Sequence, residues 1–143
     1  MQHIVDRLIR DFELWVEMAN HLPDEAFMAE LPLPSNSIGD QFWCLIGARE
    51  SYIRAIEEGE WQGFTCSLSR EDITAREGIL QALADSAATF YELASYITWD
   101  EPRITLLLDL LEHEVQHMGQ LIRFCYALEL GFPMAWKHRW SLE

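Results

Sequence analysis

Basic residues are scarce in this chain. Ten Lys and Arg stand against 24 Asp and Glu over 143 residues, for a formal net charge of −14. A chain this acidic repels phosphate backbones, and no cluster of Lys and Arg overrides that field, so DNA and RNA are poor partners. Anionic membrane surfaces are disfavoured on the same ground. Long apolar runs are also missing, since none approaches the ~20 residues that a spanning helix needs. The opening Met1-Gln2-His3-Ile4-Val5-Asp6-Arg7 spaces its charges at helical intervals instead of placing a basic patch before an apolar block, as a signal peptide would. Cysteine is rare too. Cys44, Cys66 and Cys125 are odd in number and form no C-x-x-C pair, which argues against a disulfide framework and for reduced thiols in a reducing compartment. Together these absences point to the cytoplasm. Strand-like alternation, internal repeats and low-complexity tracts are absent as well.

What remains is helical periodicity. Ile4, Val5, Leu8, Ile9, Phe12, Trp15, Val16 and Ala19 recur at three-four spacing, the mark of an amphipathic helix. Pro23 ends that stretch, a short helical turn can start at Pro23-Asp24-Glu25, and Leu31-Pro32-Leu33-Pro34 makes a connector in which regular helix is excluded. Ser35-Asn36-Ser37 offers an N-cap for a second helix. Ser69 followed by Asp72 resembles a capping box opening a third. Asp100-Glu101-Pro102 starts a fourth, which Gly131 and Pro133 stop. Helices are therefore expected near residues 3–19, 37–58, 70–97 and 101–130. One domain spanning residues 1–143 is expected, all-α and built as a four-helix bundle, with long connections that admit crossovers. Trp136, His138 and Trp140 in the tail look like a lid packed over one end or edge.

The chemistry concentrates in the fourth helix, at His113-Glu114-Val115-Gln116-His117. Residues i and i+4 stand one above the other, so both imidazoles can reach one metal ion. On the helical wheel His117 falls inside the apolar arc, His113 at its border and Glu114 near its centre. Such groups buried without a partner or a use cost several kcal/mol, which weighs against plain core packing. On the second helix Arg49 sits amid Ile38, Phe42, Leu45, Ile46, Ile53 and Ile56. A buried guanidinium needs an anion, and Glu114 has the converse need one helix away, so the two are expected to pair. Cys44 borders the same face along a seam of small residues: Ser37, Ala48, Ser51 and Ala55. Cys125 reads as core packing, and Cys66 as a loop thiol, either exposed or covered by the tail.

The segment H-E-x-x-H is also the zinc-peptidase signature, in which the Glu is the general base. Here the extended pattern fails. Gln120 and Arg123 stand where metzincins place Gly and a third His. Only 26 residues follow His117 and Glu129 shares its helix, which leaves no later helix for a third ligand. A peptidase is therefore the remotest reading.

Ser37-Ile38-Gly39-Asp40-Gln41-Phe42-Trp43-Cys44-Leu45-Ile46-Gly47-Ala48-Arg49-Glu50 and His113-x-x-x-His117-x-Gly119-Gln120-Leu121, with the Gly131-Phe132-Pro133…Trp136 tail, resemble the DinB/YfiT-like family of four-helix-bundle proteins. The resemblance implies three histidines around a divalent metal, one from the second helix and two from the fourth. His113 and His117 match the pair, while the second-helix position falls on Cys44, a departure. A thiolate is a competent soft ligand, so Cys44, His113 and His117 with an open position remain a reasonable site for zinc or nickel. The same departure equally fits a bundle that has given up its metal. Members of known activity are thiol-dependent, bacillithiol transferases and a maleylpyruvate isomerase among them. The resemblance thus implies a metal-dependent S-transferase or hydrolase using a small-molecule substrate or a low-molecular-weight thiol. The alternative is a non-catalytic helical dimer. A homodimer is expected on either reading, because 6 Trp, 7 Phe and 4 Tyr are many for one small bundle and aromatics favour interfaces.

Overall fold

The computed structural model describes all 143 residues as an all-helical chain. There are four long helices, α1 (Gln2–His21), α2 (Ile38–Glu58), α3 (Arg76–Tyr96) and α4 (Glu101–Ala127), with a 3-10 turn (Asp24–Met28) between α1 and α2 and a short α5 (Met134–Trp140) after α4. None of them is long and apolar enough to cross a membrane.

Side-chain contacts define the packing. Arg49 of α2 meets Glu114 of α4, and further along α2 the carbonyls of Ile56 and Glu57 accept from Arg103. Residue numbers fall on one helix as they rise on the other, so α2 and α4 are antiparallel. Phe12 stacks edge-on with Phe90 at 5.4 Å, and Arg76 donates to the carbonyls of Ala19 and Leu22, so α1 and α3 are antiparallel too. Arg49 also reaches Leu83 and Ser86, and Tyr96 reaches Glu57, which makes α2 and α3 parallel. Hence α1 and α4 point one way, α2 and α3 the other. The Trp15 and Phe42 rings meet across the core at 5.4 Å.

Parallel neighbours need a connection that travels the length of a helix. Residues 59–75 supply it, running back along α2 as a strap. Gly59 turns the chain at the α2 C-terminus with φ 83°. Thr65 N–H donates to Ser51 Oγ at 3.0 Å, the Trp43 indole donates to Leu68 O at 3.0 Å, and Ser67 N–H donates to Glu50 at 2.8 Å. Ser51 and two glycines of α2 serve this strap. A methyl group on Gly47 would strike the side chains of Phe64 and Cys66, and one on Gly39 would strike the carbonyl oxygen of Ile73.

The strap moves one expected boundary. Ser69 and Asp72 do not open α3; they form two successive turns, closed by Asp72 N–H to Ser69 O and Ala75 N–H to Asp72 O, each at 3.0 Å. The chain at 70 is still lying on α2, and helix begins only at Arg76, once Ile73 has passed Gly39. The end of α4 also comes early. Glu129 takes the left-handed conformation (φ 55°) and Leu130 N–H closes back onto Cys125 O at 3.0 Å, ahead of Gly131. The tail packs as α5 against α1, where the buried Trp136 donates its indole N–H to Leu14 O at 2.6 Å and meets Trp15 at 5.6 Å. Cys66 is neither freely exposed nor under the tail. It is half-buried on α2, with its thiol against Trp43 O at 3.5 Å.

Alanine ordinarily stabilises a helix relative to glycine by about 1 kcal/mol. That sign should reverse at Gly39, where the strap backbone blocks the added methyl: Gly39→Ala is expected to lose about 1–3 kcal/mol in urea unfolding. Gly119→Ala on the exposed face of α4, with nothing near its Cβ position, should instead gain up to about 1 kcal/mol.

Candidate metal centre

The apolar interior is divided. One cluster gathers Trp15, Met18, Phe42, Leu45, Met118 and Leu121 with their neighbours; a second gathers Leu8, Phe12, Ile53, Ile56, Phe90, Leu107 and Leu110. Between them lies a polar layer to which each long helix contributes one side chain. These are Asp11, Arg49, Ser86 and Glu114, all buried. Arg49 Nε donates to Glu114 Oε1 at 2.8 Å and Nη2 to Oε2 at 3.1 Å, a two-pronged pair with both side chains inaccessible to solvent. Its remaining nitrogen reaches Ser86 Oγ at 3.3 Å, and the guanidinium lies 3.8 Å over the Phe12 ring. Burial pushes the Glu114 carboxyl above its usual range, and the Arg49 charge pulls against that. Burial likewise raises the Asp11 carboxyl, against its hydrogen bond from Arg10, and Asp11 Oδ2 has no partner.

This pair sets the rotation of α4. With Glu114 turned onto Arg49, His113 and His117 flank it and face the Cys44 turn of α2. One donor atom from each of Cys44, His113 and His117 lies within 4.8 Å of the others, and the two imidazole centroids are 4.6 Å apart. Cys44 and His113 are half-buried and His117 is buried. Three donors at zinc bond lengths of ~2.0–2.3 Å stand roughly 3.5 Å apart. Closing the cluster onto an ion therefore asks for about 1 Å of movement, within reach of rotation about the Cys and His side-chain bonds. The buried Nδ1 atoms of both histidines have no hydrogen-bond partner, an arrangement that leaves the rings free to be committed by an ion. The cluster can hold a divalent metal.

Electrostatics prepare the ligands unequally. Burial, helped by the neighbouring His113, lowers the His117 imidazole to about 4, and burial lowers His113 as well. Both rings are neutral at pH 7, the form that binds metal. Burial raises the Cys44 thiol, with Arg70 opposing, so this ligand must shed its proton to bind. Arg70 lies 4.5 Å over the Trp43 ring and pairs with Asp40 at 2.6 Å. Burial takes the Cys66 thiol to about 11, which keeps it protonated. Tyr52 stands beside the cluster, its ring 6.5 Å from His113 and 5.1 Å from Trp61.

Comparison with protein-family models, with curated proteins and with solved structures finds no match to this chain.

Arg49, Glu114, Cys44, His113 and His117 stand together at mid-height between α2 and α4. Three buried polar residues were not singled out by sequence reasoning: Asp11, Ser86 and Gln41. Each carried the same signal that exposed Arg49 and Glu114, a polar residue at three-four spacing from apolar ones. Asp11 lies between Leu8 and Trp15, Ser86 between Leu83 and Phe90, and Gln41 between Ile38 and Leu45.

Arg49→Met or Glu114→Leu alone should cost about 3–5 kcal/mol, because each strands a buried charge. Together they should cost far less than the sum in chemical denaturation, and additive losses would separate the two residues energetically. Zinc binding should release about one proton near neutral pH, from Cys44 alone, since both histidines are already neutral. Affinity should then rise about tenfold per pH unit until the thiol ionises. Calorimetry in buffers of different ionisation enthalpy reads that proton, and Cys44→Ser should abolish the binding.

Proposed function

We propose that the chain is a four-helix bundle of the DinB/YfiT type whose Cys44, His113 and His117 hold a divalent metal, zinc before nickel. In this reading it acts on a small molecule as a thiol-dependent transferase or a hydrolase. The observation that carries the reading is the convergence of three donors from two helices whose register is held by a buried ion pair. A sulfur and two imidazoles form a donor set suited to zinc, and three protein ligands leave a position for an exogenous group. A metal so held lowers the pKa of a thiol or water bound to it. The chain's own residues do the rest. His113 and His117 enter the site neutral and keep it from accumulating positive charge, Cys44 contributes one negative charge after losing its proton, and Tyr52 packs beside His113 with Trp61 next to it. Glu114 is not a general base here, because both its oxygens are engaged by Arg49. That engagement removes the group on which a peptidase reading of H-E-x-x-H depends.

Protein loaded with one equivalent of zinc should conjugate a small thiol such as cysteine or glutathione to an alkylating electrophile, or hydrolyse a small ester. Cys44→Ala and His117→Ala should each lower that rate by at least about 100-fold, the upper range for weakening a metal's surroundings, with helical circular dichroism unchanged. Failure to retain zinc or nickel added in stoichiometric amount would overturn the reading and favour the non-catalytic alternative.

A further inference from the structure

One helical turn beyond the metal cluster, Gln41 follows Cys44 back toward the start of α2 and Gln120 follows His117 along α4. Both are three residues away and so lie roughly 5 Å from those ligands along their helices. They line an open pocket of about 390 Å³ whose far side is the 31–36 connector and whose α4 wall includes Arg123. That volume falls in the range of small-molecule sites.

Two observations mark the pocket as more than a surface dent. Gln41 is only 3% exposed, yet neither its amide oxygen nor its amide nitrogen has a hydrogen-bond partner. A buried amide left without both partners is costly. Both of its polar atoms are closed off from solvent, so the Gln41 side chain must turn into the pocket for a ligand to supply those partners and recover the loss. Arg123 is exposed on the same wall and belongs to none of the chain's ion pairs. Five of the chain's ten basic residues stand outside its ion pairs; what sets Arg123 apart is its place on the wall of the pocket that Gln41 also lines.

We propose that this pocket binds a small ligand carrying a secondary amide and a carboxylate, of the N-acylamino acid type. The ligand's N–H and C=O pair reciprocally with the Gln41 amide, which offers one acceptor and one donor group. The carboxylate takes the Arg123 fork. Gln120, one turn from His117, lines the same pocket. The assignment rests on the proposed metal reading only for what the ligand's other end faces; the binding itself requires no metal.

The test uses N-acetylglycine as probe, with acetate and N-methylacetamide as its two halves, titrated into nitrogen-15-labelled full-length protein with and without zinc. N-acetylglycine should shift the Gln41 side-chain amide resonances and bind at least about tenfold tighter than either half. Gln41→Met should reduce its affinity to that of acetate, and Arg123→Gln, an exposed and structurally neutral change, to that of N-methylacetamide. All of this should hold in metal-free protein, so a chain that binds no metal still reports on the pocket. Equal affinity for N-acetylglycine and acetate, binding unchanged in either variant, or shifts that map away from Gln41 and Arg123 would overturn the proposal.

Discussion

The interaction on which the rest of this structure depends is the buried pair between Arg49 and Glu114. Neither group could remain in an apolar interior alone. Each is answered by the other through two hydrogen bonds, with Ser86 and the Phe12 ring taking up what remains of the guanidinium. Because both prongs must meet, α2 and α4 are locked in rotation as well as in height. An apolar contact would tolerate a slide of part of a turn; a two-pronged ion pair does not. The polar layer also divides the hydrophobic core into two clusters, and every long helix contributes to it. Helix register is therefore set once, at mid-height, for the whole assembly.

The candidate site inherits its geometry from that lock. His113 and His117 flank Glu114 on the same helix, so the turn that brings the carboxylate to Arg49 also brings both imidazoles to the level of Cys44. Burial then keeps the imidazoles neutral and the thiol protonated in the metal-free chain. The result is a site primed at two ligands and gated at the third. Glu114, which the H-E-x-x-H pattern would make a base, is instead the member that aims the others.

The second constraint is the strap. Two parallel helices, α2 and α3, oblige the chain to travel back along α2, and Gly39, Gly47 and Ser51 make the track on which it lies. At Gly39 and Gly47 a larger side chain would collide with the strap itself. The strap brings Cys66 and Trp61 toward the metal side of α2, and the opposite connector, residues 31–36, closes the pocket beside Gln41. The strap thus borders the candidate metal site and the connector borders the neighbouring pocket, and loops positioned by a rigid scaffold commonly carry function.

Periodicity alone made the four long helices legible, because an amphipathic stripe is a local property repeated every turn. The same periodicity exposed Arg49 and Glu114 as charges on apolar arcs, and placed His113 and His117 toward the interior. Asp11, Ser86 and Gln41 carried that signal as well, but short or neutral polar residues at a helix's inner face are ambiguous until their neighbours are known. The start of α3 and the end of α4 fall away from the capping and stop residues, because such residues describe what a segment would do alone. The segment carrying Ser69 and Asp72 is already held on α2 through Leu68, Arg70 and Ile73, and Glu129 takes the left-handed turn before Gly131 can. Which helices lie side by side, that Cys44 meets both histidines, and that a pocket opens one turn away depend on residues distant in the chain. Those relations exist only once the core has closed, and only the tertiary structure decided them.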